Sequence, residues 1–550
     1  MPRALAPLLL VTSAAIAAVL VVLYRSLPPH AAALGATIPA TDVVGAYHIH
    51  SNRSDGSGSV DAIARAAREA GLSFIILTDH GDGTTAPLAP AYRSGVLTID
   101  AVEISTNGGH LVVLGLDDAS PYPLAGEPAD VIEDVHRRGG FAIVAHPDSS
   151  KPELQWRAWT TPFDGIEWMN EDTQSEWRTK KSLDLAATAA RVLMRPPETL
   201  ASMLARPVAT LRRWDALLRR RPVPSLAGLD AHANVAGWPR YVDLFRTVSQ
   251  VVQLPAPLTG QARADAAAVV AALRAGRSYS IVRAFASPAS LEFSATHDGA
   301  ASGPGDWIPS TDSITWSAHV TGASNARVVL IENGREVAGG RGRLTYTAAA
   351  APGAYRVEVT YPGFAMPWMV SNPVYVGDPP PVPPVEPVVT PAAASVDLLA
   401  STHWRVEHDA ASTGSLDGDA GNRRFQFALG GGRAASQYAA AVVPVEVDGS
   451  FDRVQITGHA DAPMRVSVQV RLPGAGGSQR WRSSAYLDAS TRTVVLPLSR
   501  FVSADRPTTQ QPIASAVREV LIVVDTVNTA PGARGMVWLG SVGLGRAERR

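Results

Sequence analysis

The residues best suited to chemistry are two histidines and an aspartate near residue 50. His48 and His50 end a short apolar run, and Asp55 follows a polar turn. Alternate side chains of a β-strand share a face, so both imidazoles point the same way and Asp55 can return toward them. Imidazole and carboxylate groups suit zinc, manganese and iron alike. Alone, the stretch fits a metal site or a strand with two solvent-facing histidines equally well.

Metal-competent residues recur where later apolar runs end. They are Asp79 and His80, Glu103, His146 and Asp148, and Asp230 and His232, with His110 placed after two glycines and before another apolar run. In α/β barrels the active site is built at the carboxyl ends of the strands. Each histidine alone would be interpreted as a surface or hydrogen-bonded residue. Their joint placement favours a metal site.

Apolar runs alternate with helical periodicity as far as residue 287. Ser59 is expected to cap a helix that Gly71 ends, and 74–77 is typical of a strand buried on both faces. The alternation predicts an α/β barrel over 41–287. A basic helical insertion over about 172–222 interrupts it.

Strand signals without helices follow the barrel. They predict a small β-sandwich over 288–377, a stiff proline-rich linker over 378–392, and a β-sandwich or jelly roll over 393–550. Trp404, Trp481 and Trp538 are candidates for a sugar-stacking platform, although tryptophans in such domains are more often core residues. A glycan is therefore a possible partner of this C-terminal domain.

Length, charge and cysteine content limit the remaining possibilities. The 550 residues exceed one ordinary domain, and the net charge of −1 gives no reason to expect nucleic acid as a partner. With no cysteine, disulfides, thiolate ligands and a cysteine nucleophile are excluded.

The N-terminal 40 residues resemble a targeting segment. The stretch 4–24 carries no charge and lies between Arg3 and Arg25. We expect a transmembrane helix that anchors a body facing the periplasm or cell exterior. A signal peptide, cleaved near Ala31, Ala33 or Ala36 to release a secreted protein, is the alternative.

Together the motifs resemble the PHP (polymerase and histidinol phosphatase) metallohydrolases, in particular their exported CehA/McbA-like branch. The resemblance rests on His48-x-His50 with Ser54-Asp55-Gly56, Thr78-Asp79-His80, Glu103 with Gly109-His110, His146-Pro147-Asp148, and Asp230-x-His232. These motifs occur in the family's order over less than half of the chain. The resemblance implies a distorted (β/α)7 barrel with two or three divalent ions of zinc, manganese or iron.

The resemblance also implies a division of the ligands. His48, His50 and Asp230 would hold one metal, and Glu103 would bridge it to a second metal held by His110 and His146. Asp55, His80 and His232 would hold a third metal. Because some relatives have histidine where Asp55 stands, this third site would bind metal more weakly or would prefer a harder metal. Asp79 and Asp148 would orient ligating imidazoles.

Three divalent ions and three carboxylates would leave a net charge of about +3, which favours an anionic substrate. We expect hydrolysis of a phosphoester by a hydroxide that bridges two metals, without a protein nucleophile. Arg53 and Arg283 are candidate phosphate contacts, and no general acid is assigned.

Two other functions fit the same sequence. The CehA/McbA resemblance also allows hydrolysis of a carbamate, ester or amide, since a metal-bound hydroxide attacks carbonyl carbon as well as phosphorus. The other function is an anchored glycan-binding protein whose metals are structural.

Overall fold

The computed structural model describes residues 5–174, 182–233, 237–310, 313–349, 351–379, 395–419, 421–432, 437–446, 451–474, 477–505 and 510–547. The chain divides into two compact units. The first unit comprises 1–81, 87–117 and 135–382, and the second comprises 82–86, 118–134 and 383–550. The expected multidomain organisation, with α/β structure followed by all-β structure, is confirmed.

The elements as far as residue 281 include both helices and strands. In chain order they are α1 (Leu5–Arg25), β1 (Ala32–Ala33), β2 (Asp42–Ile49), α2 (Val60–Glu69), β3 (Phe74–Leu77), β4 (Ala91–Arg93), β5 (Val96–Asp100), β6 (Val102–Thr106), β7 (Gly109–Leu114), α3 (Pro128–Arg137), β8 (Phe141–Val144), β9 (Gly165–Asn170), α4 (Glu171–Gln174), α5 (Ser182–Met194), α6 (Pro196–Ser202), α7 (Val208–Leu218), β10 (Ser225–Gly228), α8 (Tyr241–Thr247), β11 (Ser249–Gln253), α9 (Ala262–Ala275) and β12 (Ser278–Ile281).

Two sheets of the first unit enclose a common core. In one sheet β2, β3 and β5 are parallel neighbours, and the other has the order β10-β9-β8-β7-β6. Two parallel bridges join them, one between Ile49 and Ala231 and one between His80 and Glu103. The five-stranded sheet therefore meets the other sheet at both of its own edges, and the two form a closed, barrel-like arrangement, in which β7 runs antiparallel to both neighbours.

Local sequence explains these elements. The Ser59 side chain accepts a hydrogen bond from the Ala62 amide and caps α2, whose apolar face is buried. All four residues of β3 are buried, as expected for a parallel strand covered on both sides. The core between the sheets includes Val43, Tyr47, Phe74 and Ile76, together with apolar residues of α9.

The expected insertion is helical where it is described, as α4 to α7; Lys180 and Lys181 lie outside the described residues. Arg191 donates to the Ser26 hydroxyl over 3.0 Å, which ties α5 to the segment after α1. At the start of α7, the Thr210 amide donates to Asp148 over 3.0 Å. The insertion is therefore fixed near the motif that contains His146.

Helix α1 forms where the apolar N-terminal stretch predicts a helix. Among the described residues, however, no helix has both the length and the apolar character needed to cross a membrane. The structure therefore does not show the expected transmembrane anchor over 4–24 among these residues.

The β-rich segment after residue 285 also belongs to the first unit. Its strands are β13 (Ala286–Ser287), β14 (Leu291–His297), β15 (Ala300–Ser302), β16 (Trp307–Ile308), β17 (Ile314–Val320), β18 (Arg327–Glu332), β19 (Arg335–Arg341), β20 (Arg343–Ala348), β21 (Gly353–Thr360), β22 (Met369–Ser371) and β23 (Val374–Val376). Because β22 pairs with β12, these strands continue a sheet of the barrel. The boundary placed at 287/288 therefore does not separate two compact units.

Strand β21 differs from its expected half-buried pattern. Its alternation predicts one polar, exposed face, but Arg356 and Glu358 are buried as well. Arg356 pairs with Asp215 of α7 at 3.0 Å and with Glu358 at 2.7 Å. Arg206, which precedes α7, pairs with Glu358 at 2.7 Å. The insertion thus covers this face and neutralises its charges.

The second unit is a sandwich of two six-stranded sheets. Its strands are β24 (Ser395–Asp397), β25 (Arg405–His408), β26 (Thr413–Asp419), β27 (Asn422–Ala428), β28 (Tyr438–Pro444), β29 (Arg453–Ala460), β30 (Met464–Gly474), β31 (Gly477–Leu487), β32 (Arg492–Pro497), β33 (Val502–Ser503), β34 (Glu519–Asp525) and β35 (Arg534–Gly545). Most of the predicted linker, 380–394, lies outside the described residues. The unit also includes 118–134, where Asp134 pairs with the buried Arg465 at 2.7 Å, a contact that the sequence did not predict.

Replacing Arg356 with alanine is expected to lower the free energy of unfolding of the first unit by about 3 kcal/mol. The change leaves Asp215 buried without the Arg356 cation and leaves Glu358 paired with Arg206 alone. Urea unfolding of the full chain measures the effect. Arg335→Ala is the control, because Arg335 is 77% exposed in its pair with Glu332, and it is expected to change stability by less than about 0.5 kcal/mol. Equal stabilities of the two variants would contradict the role of this cluster.

Candidate metal centre

All nine predicted ligands lie at one end of the barrel in the first unit. Three groups place candidate ligand atoms within 4.8 Å of one another: His48, His50, Glu103 and Asp230; His80, Glu103 and His110; and His50, Asp55, His80 and His232. His146 joins them through Glu103, at 2.8 Å. The structure thus brings the whole predicted set together, and a role for each as a metal ligand stays a prediction.

The first group has the spacing of a metal site. The Nε2 atoms of His48 and His50 lie 3.2–3.4 Å from one oxygen of Glu103 and one oxygen of Asp230. For metal–ligand bonds of about 2.0–2.1 Å, the corners of a tetrahedron lie about 3.3 Å apart. Both Nε2 atoms are buried and make no well-aligned hydrogen bond within the described residues. A divalent ion would satisfy all four groups.

Glu103 lies at the centre of the whole cluster. Its Oε1 is 2.8 Å from His110 and 2.8 Å from His146. Its Oε2 faces three other imidazoles, those of His48, His50 and His80, at 3.2–3.3 Å. The two oxygens therefore face different groups of nitrogen donors, which is the geometry a bridging carboxylate needs.

The group around Asp55 forms the open side of the centre. Asp55 lies 3.2 Å from His232, 3.4 Å from His50 and 3.6 Å from His80. Its side chain is 52% exposed, whereas that of Glu103 is 1% exposed. A substrate can therefore approach from the side of Asp55 and His80.

The orientation of β7 explains the unusual position of His110. His80, His146, Asp230 and His232 follow the ends of parallel strands, whereas His110 is the second residue of its strand. Because β7 is antiparallel to β6 and β8, its beginning lies at the same end as their carboxyl ends. A candidate ligand that comes before the apolar run of β7 therefore lies at the same end of the barrel as the candidate ligands that come after the other apolar runs.

Backbone irregularities aim several of these side chains. The pairing of β2 with β3 shifts by one residue between Tyr47 and Ile49, which makes His48 the bulged residue. Tyr47 belongs to the core between the sheets, so regular alternation would turn His48 and His50 away from it. The bulge resets that alternation. Alternation gives the two histidines a shared face, as the sequence predicts, and the bulge turns that face toward the side on which Tyr47 lies.

Three candidate ligands have left-handed backbones. The φ angles are 65° for His48, 28° for His146 and 55° for Asp230. Such conformations are uncommon outside glycine and are concentrated at functional sites. Each follows or interrupts a strand, and each turns its side chain toward Glu103 or its neighbours.

Glu167 is a site residue that the sequence did not identify. It is fully buried, and its carboxylate lies 2.5 Å from Nδ1 of His48. It also accepts hydrogen bonds from the His146 amide over 2.7 Å and from Asn170 over 2.9 Å. A carboxylate on the far nitrogen of a ligating imidazole fixes its orientation and raises its basicity. The available signal was a glutamate inside a largely apolar strand, 165–170, because a buried charge requires a partner.

The roles predicted for Asp79 and Asp148 are wrong. Asp79 accepts hydrogen bonds from the Ser51 amide and hydroxyl over 2.7 and 2.8 Å and from the Ser54 hydroxyl over 2.8 Å, so it holds the loop after His50. Asp148 binds the beginning of α7 through Thr210. Their short side chains reach backbone and hydroxyl donors, whereas the carboxylate of Glu167 contacts the imidazole of His48.

The two arginines proposed as phosphate contacts are engaged elsewhere. Arg53 pairs with Asp79 at 2.6 Å and also with Asp100. Arg283 donates to the carbonyl oxygen of Ala70 over 2.9 Å and to that of Phe245 over 3.3 Å. Ala70 ends α2 just before β3 begins, so Arg283 lies at the opposite end of the barrel from His80. Its contacts contradict the predicted role.

Interactions within the cluster shift the pKa values of its carboxylates and imidazoles. Burial acts to raise the pKa of Glu103, but the charge on His48 and the hydrogen bonds from His110 and His146 hold that pKa well below its usual range. Burial acts to lower the pKa of His50, but the adjacent carboxylates of Asp230 and Glu103 raise it to about 9. Glu103 is thus ionised at neutral pH, while protons compete with metal ions for His50.

Comparisons with known proteins add limited information. No protein-family model matches the chain. Over 113 residues it is 31% identical to an uncharacterized protein of Methanocaldococcus jannaschii, covering 20% of this chain and 64% of that protein. The chain therefore spans less than two thirds of the length of this curated relative.

Two solved structures show weaker likeness. A two-domain protein from Bacteroides vulgatus, described as containing a predicted PHP-like metal-dependent phosphoesterase, is 16% identical with a TM-score of 0.29 over 62% of this chain and 99% of its own. A family 11 carbohydrate-binding module from Clostridium thermocellum is 12% identical with a TM-score of 0.23, over 28% of this chain and 96% of its own. At these TM-scores the likenesses carry no argument about fold or function.

Replacing Glu167 with alanine is expected to weaken metal affinity by about 10- to 100-fold, because the His48 ring loses its orienting partner. Competition with a chelating dye measures the affinity for zinc and manganese. Glu69→Gln is the control, since this carboxylate is exposed at the end of α2, and it is expected to bind metal as the wild type does. Unchanged affinity in Glu167→Ala would show that His48 needs no such partner.

Replacing Asp55 with alanine is expected to lower the metal content by about one equivalent, because only the group on the open side loses its carboxylate. Replacing Glu103 with alanine is expected to lower the metal content by more than one equivalent. Elemental analysis of dialysed protein gives these values, with Asp61→Ala as a control for loss of an exposed carboxylate in α2. Equal loss of all metals in Asp55→Ala would contradict the division into groups.

Proposed function

We propose that this chain is a metal-dependent hydrolase of the PHP type that acts on a phosphoester. The observation that carries the proposal is Glu103, a buried carboxylate whose two oxygens face separate sets of imidazole nitrogens at 2.8 Å and 3.2–3.3 Å. Such a donor set of imidazoles and carboxylates fits two or three divalent ions of zinc, manganese or iron.

When bound, such ions acidify a water molecule and stabilise negative charge on the oxygens of the substrate. The protein's own charges limit this effect. Glu167 adds a fourth carboxylate to Asp55, Glu103 and Asp230, so a fully loaded centre would have a net charge of about +2 rather than +3. The centre would still favour an anionic substrate.

The protein side of the mechanism consists of orientation and access. Glu167 holds His48, and the Tyr241 hydroxyl lies 2.8 Å from the carbonyl oxygens of both His50 and His232. Tyr241 therefore ties together the loops that supply two groups of ligands. The exposed carboxylate of Asp55 leaves that side accessible to substrate. No arginine assigned from the sequence is free for the phosphate, so binding would depend on the centre itself.

Hydrolysis of a carbamate, ester or amide of the CehA/McbA type is the second candidate. The observation that favours it is the engagement of Arg53 and Arg283 with other groups, because a phosphate site is more often lined by free cations. The two reactions differ in the charge of the substrate, which makes them separable by experiment.

The test compares p-nitrophenyl phosphate, bis(p-nitrophenyl) phosphate and an aryl carbamate after addition of manganese or zinc. We expect the phosphoesters to be hydrolysed faster, and expect chelation or His146→Ala to reduce the rate by more than about 100-fold, because Glu103 loses a neighbouring ligand. His319→Ala is the matched control, since His319 is a partly exposed histidine on β17.

The outcomes separate the candidates. Faster hydrolysis of the carbamate would favour the second function. Phosphatase activity that survives both chelation and His146→Ala would exclude the metal-dependent mechanism. Fewer than two metal equivalents without any hydrolysis would favour structural metals in a non-catalytic protein.

A further inference from the structure

The outer face of one sheet in the second unit carries a row of chemically diverse side chains. The sheet has the order β26-β27-β35-β29-β32. Across its first four strands, Asp417 pairs with Arg424, Arg424 with Trp538, and Trp538 with His459. We call these four residues the Trp538 row. Cross-strand partners lie side by side on the same face, so the row is continuous.

Trp538 occupies the middle of this row with one face of its ring covered. The His459 ring stacks on it at a centroid distance of 4.7 Å and an angle of 8°. Since His459 lies on the β29 side, the opposite face of the indole is turned toward Arg424 on β27. Trp538 is only partly buried, and both Asp417 and Arg424 are exposed. A flat ligand can therefore stack on the part of the indole that His459 leaves uncovered, with the polar groups of Arg424 and Asp417 beside it.

The other tryptophans of this unit serve the fold. Trp481 is 5% exposed within the core, and Trp404 packs against that core while donating to the Leu398 carbonyl over 3.1 Å. Trp538 is not part of this core, because its strand neighbours Val537 and Leu539 supply the core contacts. An aromatic ring kept on a polar sheet face indicates a binding role more strongly than a structural one.

Within the described residues, no hydrogen bond or ion pair engages the side chains of Asp417 or Arg424. The row thus offers one free carboxylate, one free guanidinium and an open indole face, with opposite charges that cancel. A neutral ring with an apolar face and a rim of hydroxyl groups matches this set. A polyanion would meet Asp417 and gain little from a single arginine.

We propose that the Trp538 row binds a neutral glycan, with one sugar ring stacked on the indole and its hydroxyls bonded to Arg424 and Asp417. Gln426 and Ser415, which are exposed partners in the adjacent row, extend the hydrogen-bonding surface along the sheet. This binding role is independent of the proposed hydrolase activity in the first unit.

The test is affinity electrophoresis of the full chain in native gels that contain barley β-glucan, xyloglucan, galactomannan or arabinoxylan. We expect at least one polysaccharide to retard the wild type. Trp538→Ala is expected to weaken that binding by about tenfold or more, and Arg424→Ala and Asp417→Asn by smaller factors. The rate of hydrolysis of the p-nitrophenyl substrates is expected to stay unchanged in all three variants.

The matched control is Trp307→Ala in the first unit. Trp307 is also partly buried and stacks on a neighbouring ring, that of Tyr375, at 4.7 Å. This variant is expected to bind the polysaccharide as the wild type does, and urea unfolding shows whether each variant is folded. Three results would each overturn the proposal. The first is that none of the four polysaccharides retards the wild type, and the second is that only poly(dT) or heparin in the gel does so. The third is that a folded Trp538→Ala variant binds as well as the wild type.

Discussion

The ionised carboxylate of Glu103, withdrawn from water at the end of a barrel, is the constraint on which the candidate site depends. Burying such a charge costs several kcal/mol unless opposite charge and hydrogen bonds compensate it. Here the compensation comes from five imidazoles around its two oxygens. Glu167 then balances the charge on His48 from the other side. The cluster is therefore an interdependent set, in which removing one member leaves others uncompensated.

The backbone must be strained to assemble this set. His48, His146 and Asp230 have positive φ angles, and each such residue costs about 1–3 kcal/mol. The surrounding sheet holds them in place. The His50 amide donates to the Ala231 carbonyl over 3.0 Å, and the Ala231 amide donates to the His48 carbonyl over 3.2 Å. The same strand pairing that closes the barrel thus fixes the two motifs that share the first group of ligands.

The two units of the chain use similar β-structure for different purposes. In the first unit, the strands after the barrel extend one of its sheets and bury a cluster of charges beneath the helical insertion. That structure supports the barrel. In the second unit, the core lies between two sheets, and one outer face carries a tryptophan flanked by polar groups. A separate binding function requires a sheet that packs one face against the core and presents varied polar and aromatic side chains on its outer face.

The sequence by itself determined which residue types are candidate ligands and that they lie at a common location. Apolar runs followed by histidine, aspartate or glutamate are local patterns, and parallel strands necessarily bring such residues to one end. It could not assign Glu167, Asp79, Asp148, Arg53 or Arg283, because their roles depend on which distant groups lie within hydrogen-bonding reach. Glu167 reaches His48 across 119 positions, and Arg283 reaches Ala70 across 213. Only the tertiary structure decides such contacts, since bulges, strand direction and packing set the final distances to within an ångström.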